Sequence, residues 1–460
     1  MPRTKLVLLG GGGVRAPLFA EAAARRAQTI GLEELWLVDV DAEKLELLGG
    51  LASHAAYAVD PTLVVRQTTD ARAALTDASY VVGTVRVGGD HGRVLDERIA
   101  IQHGVLGQET TGPGGLAMAA RTVPVMLRYA ELLAEVSPQA WLFNFTNPAG
   151  LVTQALHDAG HTQVIGICDT ANLAQMTVAY LLGLDANSLR PAVFGLNHLS
   201  WCRRLAHEGR DLLPDLLSDR DVIKATSQKL FEPGLRDLIG MWINEYLYYF
   251  YYADQALTAV HGDGQTRAEK VESYNYDLLE VLRTLDISTD PAATMTTYRA
   301  YEARRRASYM PYAPAGDGCS GHPGATGAEH LGDVGEGYAG VALDLMEALA
   351  GRRVIHTALN VPNDGAISDM APDDIVEVSC RVDLDGAESL PIGRLPAAQA
   401  GLIHAVKSYE RLASKALLSR SRNLAVQALM AHPLVPSYPA AAALTDAYLN
   451  AHAAYLGTWT

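Results

Sequence analysis

A thiol and an imidazole, both ready ligands for transition metals, stand at the ends of two apolar runs in the middle of the chain. The first run, Val164-Ile-Gly-Ile-Cys-Asp169, reads as a short buried strand whose C-terminal end delivers Cys168 and Asp169 side by side. The second, Phe194-Gly-Leu-Asn-His-Leu-Ser200, delivers His198 in the same way. A thiolate and a neutral imidazole so placed can hold a divalent transition metal and leave positions open for substrate oxygens. Two ligands do not close a structural site. Taken alone, a buried Cys is as readily a small core residue and a His a structural one. Downstream, Glu245-Tyr-Leu-Tyr-Tyr-Phe-Tyr-Tyr252 carries more phenols than a pure packing helix needs, because each buried hydroxyl requires a partner.

These groups need a scaffold, and the N-terminal residues supply one. An apolar run at 5–9 leads into four glycines at 10–13, then Val14, Arg15 and Ala16, then a helical stretch over 19–27. Strand, glycine turn and helix is the arrangement in which backbone amides receive a pyrophosphate, and Gly11, Gly13 and Ala16 fit G-x-G-x-x-A with Gly12 between them. A second strand ends in Asp39, an acid able to bind the ribose hydroxyls of NAD and to repel the 2′-phosphate of its phosphorylated form. Further strands are expected at 64–68, 80–87, 141–145 and 164–168, with helices over 41–58 and 115–135 between them. That alternation predicts an α/β fold: a doubly wound, Rossmann-like parallel sheet whose ligands lie beyond the carboxyl ends of the strands. Arg86, Asn147 and the Cys168-Asp169 pair collect there.

The pattern changes after residue 190. Pro191 marks the expected boundary between an NAD-binding domain, 1–190, and an α+β substrate-binding and oligomerisation domain, 191–460, with His198 at the junction. Strands of this second domain are expected at 352–361 and 374–380, and amphipathic helices from 396 to 432. The glycine-rich segment 313–337 reads as a lid or a surface loop.

Composition narrows the function. A chain of 460 residues, 49% hydrophobic, can bury a large core. A net charge of -15 argues against nucleic acid or anionic membranes as partners, so an anionic substrate needs a local arginine cluster. Four cysteines without a C-x-x-C pair fit a reducing compartment. With no apolar run long enough to span a bilayer and no secretory h-region, a cytoplasmic location is expected.

Several motifs recur together. Besides the glycine turn they are Arg86-Val-Gly-Gly89, Arg93 with Asp96-Glu97, Gly107-Gln-Glu-Thr-Thr-Gly-Pro-Gly-Gly115, Phe143-Asn-Phe-Thr-Asn-Pro148, Gly166-Ile-Cys-Asp169, Gly195-Leu-Asn-His198 and Asn360-Val-Pro-Asn363. In that order they resemble glycoside hydrolase family 4, the NAD- and metal-dependent glycosidases, and within it the 6-phospho-β-glucosidase branch. The resemblance implies a lactate/malate dehydrogenase-like fold, NAD and a divalent metal, usually manganese, and a phosphorylated glycoside as substrate. It implies oxidation at C3 of the sugar, removal of the C2 proton, elimination of the aglycone, water addition and re-reduction. By the same resemblance Cys168 and His198 hold the metal, Tyr246 is the base, and Asp169 protonates the leaving oxygen. Gly11, Gly12, Gly13, Val14, Arg15, Asp39 and Asn147 would hold the cofactor. Arg86, Arg93, Glu109, Asn147, Asn197 and Arg267 would hold the substrate. A homodimer or homotetramer is expected.

Two departures leave alternatives open. Cys168-Asp-Thr-Ala171 carries the acid found in the phospho-α-glucosidase branch, and residues 332–338 lack the Arg-Gly-Gly of many relatives. A 6-phospho-α-glucosidase or an unphosphorylated glycosidase of the same family therefore stands beside the β reading. From a different class, a 2-hydroxy acid dehydrogenase would need an arginine for the carboxylate, a His–Asp relay and no metal.

Overall fold

Leu6, Val7, Leu8 and Leu9 are almost wholly removed from solvent, as a strand covered on both faces must be. They form β1 (Thr4–Leu9), an interior strand of the largest sheet in a computed structural model that describes residues 4–308 and 337–460. Around it lie β2 (Leu32–Val38), β3 (Val64–Thr68), β4 (Tyr80–Gly83), β5 (Trp141–Asn144) and β6 (Val164–Gly166). All are parallel, in the order β3-β2-β1-β4-β5-β6, which is the doubly wound Rossmann order. Helices Ala16–Ile30, Ala42–Val59 and Gly337–Leu349 form one packed group, and Pro113–Val136, Ala149–Asp158 and Ala397–Ser419 form another.

The chain then makes a second, antiparallel sheet from β7 (Leu189–Leu196), β8 (Leu199–His207), β9 (Arg210–Asp211) and β10 (Trp242–Ile243). Pro191, expected at a boundary, lies inside β7. The strands expected for the second domain are displaced more seriously. They form β11 (Ile355–Pro362) and β12 (Ile375–Asp383), joined by β13 (Gly386–Ser389), and all three extend the first sheet beyond β6. The junction is a single antiparallel pairing, Asn360 with Gly166. The C-terminal half thus completes the sheet of the N-terminal half, and sequence distance concealed it. The segment 313–337, read as a lid or loop, lies outside the described residues except at Gly337, as does Cys319. No helix among the described residues is long and apolar enough to cross a membrane.

One buried ionic knot fixes the C-terminal helices to the site. The Arg121 guanidinium, fully buried, donates to both oxygens of Asp96 at 2.8 and 2.6 Å and to the Val87 carbonyl at 3.0 Å. His452 Nε2 lies 2.7 Å from the same Asp96 carboxylate, and the Tyr448 hydroxyl donates to the Asp96 carbonyl at 3.1 Å. The helix carrying Asp96, Gly89–Gln102, also carries Arg93. Removing one partner of a buried pair strands the other charge in a low dielectric. Arg121→Met is therefore expected to lower unfolding free energy by about 3–5 kcal/mol in urea titrations. A loss within about 0.5 kcal/mol of wild type, the range of ordinary surface changes, would show that the knot is solvated.

Candidate active site

The glycine turn shows why small residues are required. A Cβ on Gly11 would sit 2.7 Å from the Leu37 backbone, so this residue permits helix and strand to close on each other. A Cβ on Gly12 would strike the Asp39 carboxylate at 2.9 Å. Instead the Gly12 amide donates to Asp39 Oδ2 at 3.0 Å, and the Asp41 amide donates to Oδ1 at 3.1 Å. Helix Ala16–Ile30 starts immediately after, with Arg15 at its N-cap position and no side-chain cap on its first amides. An acid at the end of β2 beside a glycine turn and a helix N-terminus fits the ribose and pyrophosphate of a dinucleotide.

Cys168 lies just past the end of β6, in the turn rather than the strand, with its thiol 3.2 Å from the Thr170 hydroxyl. His198 occupies the tight turn between β7 and β8 with φ of 64°, a left-handed conformation that costs a non-glycine residue about 1–3 kcal/mol. Its Nδ1 is buried and has no hydrogen-bond partner among the described residues. Burial pushes the imidazole down to about 3, against the opposing influence of Glu109, so the ring is neutral. Burial, reinforced by Asp169 and Glu377, pushes the Cys168 thiol up. A neutral imidazole with a nitrogen to spare and a thiol that ionises only beside a cation are the states in which a divalent metal would find them. No group of three or more His, Cys, Asp or Glu side chains converges among the described residues, so a metal here would keep positions for other ligands.

Tyr246 completes the cluster. Its ring stacks on His198 with centroids 3.6 Å apart and planes 8° from parallel. The segment starts with Asn244, whose side-chain oxygen accepts from the Tyr246 amide at 3.1 Å. Asn244 Nδ2 reaches the Thr170 and Ser200 hydroxyls at 3.4 and 3.1 Å, so one amide side chain aligns the Cys168 turn, β8 and the Tyr246 turn. The tyrosine-rich run is a 3-10 turn at Glu245–Leu247 followed by one short helix, Tyr248–Tyr251, and so departs from the simple packing helix that the sequence reading argued against.

Glu109 lies between two arginines, 2.7 Å from Arg86 and 2.9 Å from Arg93. Burial alone would raise its carboxyl, but Arg86 and Arg93 overcome this and hold it well below the usual carboxylate range; Asn147 adds a hydrogen bond. Arg93, itself buried, also pairs with Glu97 at 2.9 Å and lies within electrostatic reach of Tyr246.

Gly12, Gly13, Val14, Arg15, Asp39, Arg86, Arg93, Glu109, Asn147, Cys168, Asp169, His198, Tyr246 and Arg267 line one cavity of about 1500 Å³. Gly11 and Asn197 do not. Gly11 serves packing, and Asn197 turns away to donate to Glu377 Oε1 at 3.2 Å. Arg267 reaches the cavity, but its terminal nitrogens donate to Ser308 and to the Arg305 carbonyl, closing the end of helix Pro291–Ala307. Glu377 on β12 was not singled out in the sequence reading. Fully buried, it accepts from Ser200 Oγ at 2.7 Å and from Asn197 and Asn360 at 3.2 Å each. A charged residue within the apolar run Ile375-Val-Glu-Val-Ser-Cys380 was the available signal.

A dehydrogenase relay needs a His–Asp pair facing the cofactor. His452 and Asp96 form such a pair, but neither lines the cavity, and His198 faces a phenol instead.

The model of the family 4 glycosyl hydrolases matches residues 5–184, and that of their C-terminal domain matches residues 193–435. The chain belongs to glycosyl hydrolase family 4. Among its family relatives, the 6-phospho-β-glucosidase of Escherichia coli is 30% identical, covering 99% of this chain and 96% of that protein. The 6-phospho-α-glucosidase 1 of Lacticaseibacillus paracasei is 28% identical, over 98% and 97%. The 6-phospho-β-glucosidase of Thermotoga maritima, solved with manganese, NAD+ and glucose-6-phosphate, is 24% identical with a TM-score of 0.80, covering 98% of this chain and 99% of that one. The Rossmann-like architecture read from the sequence is the fold of these enzymes.

Glu377 generates a pH prediction. Burial raises its carboxyl from the ordinary 4.5 to about 7, with the three donors and Glu410 modifying the shift. The fold therefore favours the protonated form, and stability falls as pH rises from about 4.5 to about 7. Metal-free wild type is expected to lose ~3 kcal/mol more than Glu377→Gln across that window in denaturant titrations. Equal slopes for the two proteins would remove the assignment.

Proposed function

We propose that this family 4 enzyme cleaves 6-phospho-β-glucosides by an NAD- and divalent-metal-dependent, redox-neutral elimination. The stacking of Tyr246 on His198, in the cavity shared with the glycine turn, carries this reading, because it puts a proton acceptor, a metal ligand and a dinucleotide site around one substrate position. Bound NAD+ would exchange a hydride with C3 of the sugar while a metal such as Mn²⁺ supplied Lewis acidity.

The protein's own contributions follow from position. Cys168 and His198 offer sulfur and nitrogen to the metal. Tyr246 takes the C2 proton, and the Arg93 charge beside it favours an oxyanion there. Asp169, adjacent to Cys168 and lining the cavity, gives a proton to the departing glycosidic oxygen. Glu109, fixed between Arg86 and Arg93, leaves those guanidiniums oriented toward sugar oxygens or a 6-phosphate. Asn147 hydrogen-bonds to Glu109 and lines the same cavity. The β preference rests on the E. coli relative; the Asp169 position favours the α reading as the second possibility, since both branches are represented among relatives of similar identity. A cytoplasmic homodimer or homotetramer belongs to the same reading, supported by the exposed apolar cluster Tyr180, Leu181 and Leu182, and light scattering at a monomer mass would remove the assembly.

The decisive assay is p-nitrophenol release from its 6-phospho-β-glucoside, with NAD+ and Mn²⁺ each omitted in turn, beside the α anomer and the unphosphorylated glucoside. Activity requiring both additions, without accumulation of NADH, is expected. NADH formation from a hydroxy acid without glycoside cleavage would overturn the proposal. Tyr246→Phe is expected to lower kcat by about 10²–10⁴-fold while Mn²⁺ affinity persists. Cys168→Ser and His198→Ala are expected to lose Mn²⁺ binding by calorimetry while retaining NAD+.

A further inference from the structure

Helix Pro291–Ala307, which carried no candidate residue in the sequence reading, lies directly on the glycine turn and lines the cavity. The Tyr298 hydroxyl donates to the Val14 carbonyl at 2.8 Å, and Arg299 pairs with Glu21 on helix Ala16–Ile30. Arg305 is seven residues after Tyr298, two turns along on the same helical face, with Glu302 between them. Arg305, Glu302, Arg15 and Arg86 all line the cavity. The Arg305 Nε is buried with no hydrogen-bond partner among the described residues, and so is Arg86 Nη1. Burial, together with the nearby charges of Arg15 and Arg86, lowers Arg305 from its ordinary value, although Tyr301 and Glu302 oppose this. Holding like charges together while Arg305 Nε and Arg86 Nη1 lack acceptors among the described residues is costly unless an anion arrives to accept them.

We propose that Arg305, brought over the glycine turn by helix Pro291–Ala307, acts with Arg15 as a two-element clamp on the pyrophosphate of the dinucleotide. This rests on the reading of the glycine turn as the NAD site. The chemistry recognised is phosphate oxygen, which both the cofactor and a 6-phosphosugar possess. The cofactor is favoured because the helix is registered on Val14 of the turn itself, and because Arg15 is the cation that acts most strongly on Arg305. The clamp would slow cofactor release in a reaction that must recover its own hydride.

The test is calorimetric titration of wild type, Arg305→Met and Arg305→Lys with NAD+, ADP-ribose and adenosine, then with glucose-6-phosphate at saturating NAD+. Arg305→Met is expected to weaken NAD+ and ADP-ribose by roughly tenfold or more, as loss of a charge-assisted bond implies, while adenosine and glucose-6-phosphate bind as before. Arg305→Lys keeps the charge and should recover most of the affinity, which separates anion binding from a folding defect. Unchanged NAD+ affinity in Arg305→Met overturns the clamp alone. Weakened glucose-6-phosphate with intact NAD+ also overturns it and moves Arg305 to the substrate. Absence of NAD+ binding in wild type would overturn the clamp together with the functional reading.

Discussion

The carboxyl of Glu377 accepts from side chains on β8, β11 and the β7–β8 turn at once, and this tie holds the two sheets in register. Cys168 follows β6 of the large sheet, whereas His198 lies in the hairpin of the small one. Neither sheet alone can set the distance between them. A second bond, from the Val193 amide to Ser379 Oγ at 2.9 Å, repeats the tie a few residues away. Asn244 then transmits the same alignment to Tyr246. A buried carboxyl satisfied by three donors is rigid in a way that an apolar contact is not, because each displaced bond leaves a polar group without a partner. The geometry of thiol, imidazole and phenol thus depends on one buried acid that does not line the cavity.

The chemistry of the site was more legible than its framework. The glycine turn, Asp39, Cys168, Asp169 and His198 stood out because their types are specialised and lie at the ends of apolar runs, Tyr246 was picked from its tyrosine-rich run by the family resemblance, and all but Gly11 and Asn197 of the candidate residues line one cavity. Period and length also found the six parallel strands: most are buried, continuous apolar runs, while the exposed edge strand β3 is marked by its β-branched residues. The placement of β11 and β12 was not legible. Their sequence identifies strands but carries no information on which edge they join, since the pairing with β6 is tertiary. Glu377 was hidden for the same reason: its donors come from three distant segments. The left-handed turn at His198 was hidden too, since no glycine marks it.

Electrostatics in the cavity is built from opposed pairs. Glu109 stays ionised because two guanidiniums outweigh its burial, and those guanidiniums in turn stay oriented because the carboxylate holds them. Cys168 and His198 are the reverse case, kept uncharged by burial until a cation supplies what water would have supplied. Asp169, beside that thiol, lines the same cavity. In an elimination the aglycone leaves without backside attack at C1, so a pocket can tolerate either anomer more readily than a displacing glycosidase can.

The single pairing of Asn360 with Gly166 has a consequence for synthesis. Until β11 emerges from the ribosome, β6 is the open border of a nascent sheet, with unpaired amides and carbonyls facing solvent. At about 5–20 residues per second that interval lasts roughly 10–40 s. Through it the growing chain presents a docking edge to other nascent chains, so yield in cells depends on how the border is shielded as well as on the stability of the finished protein.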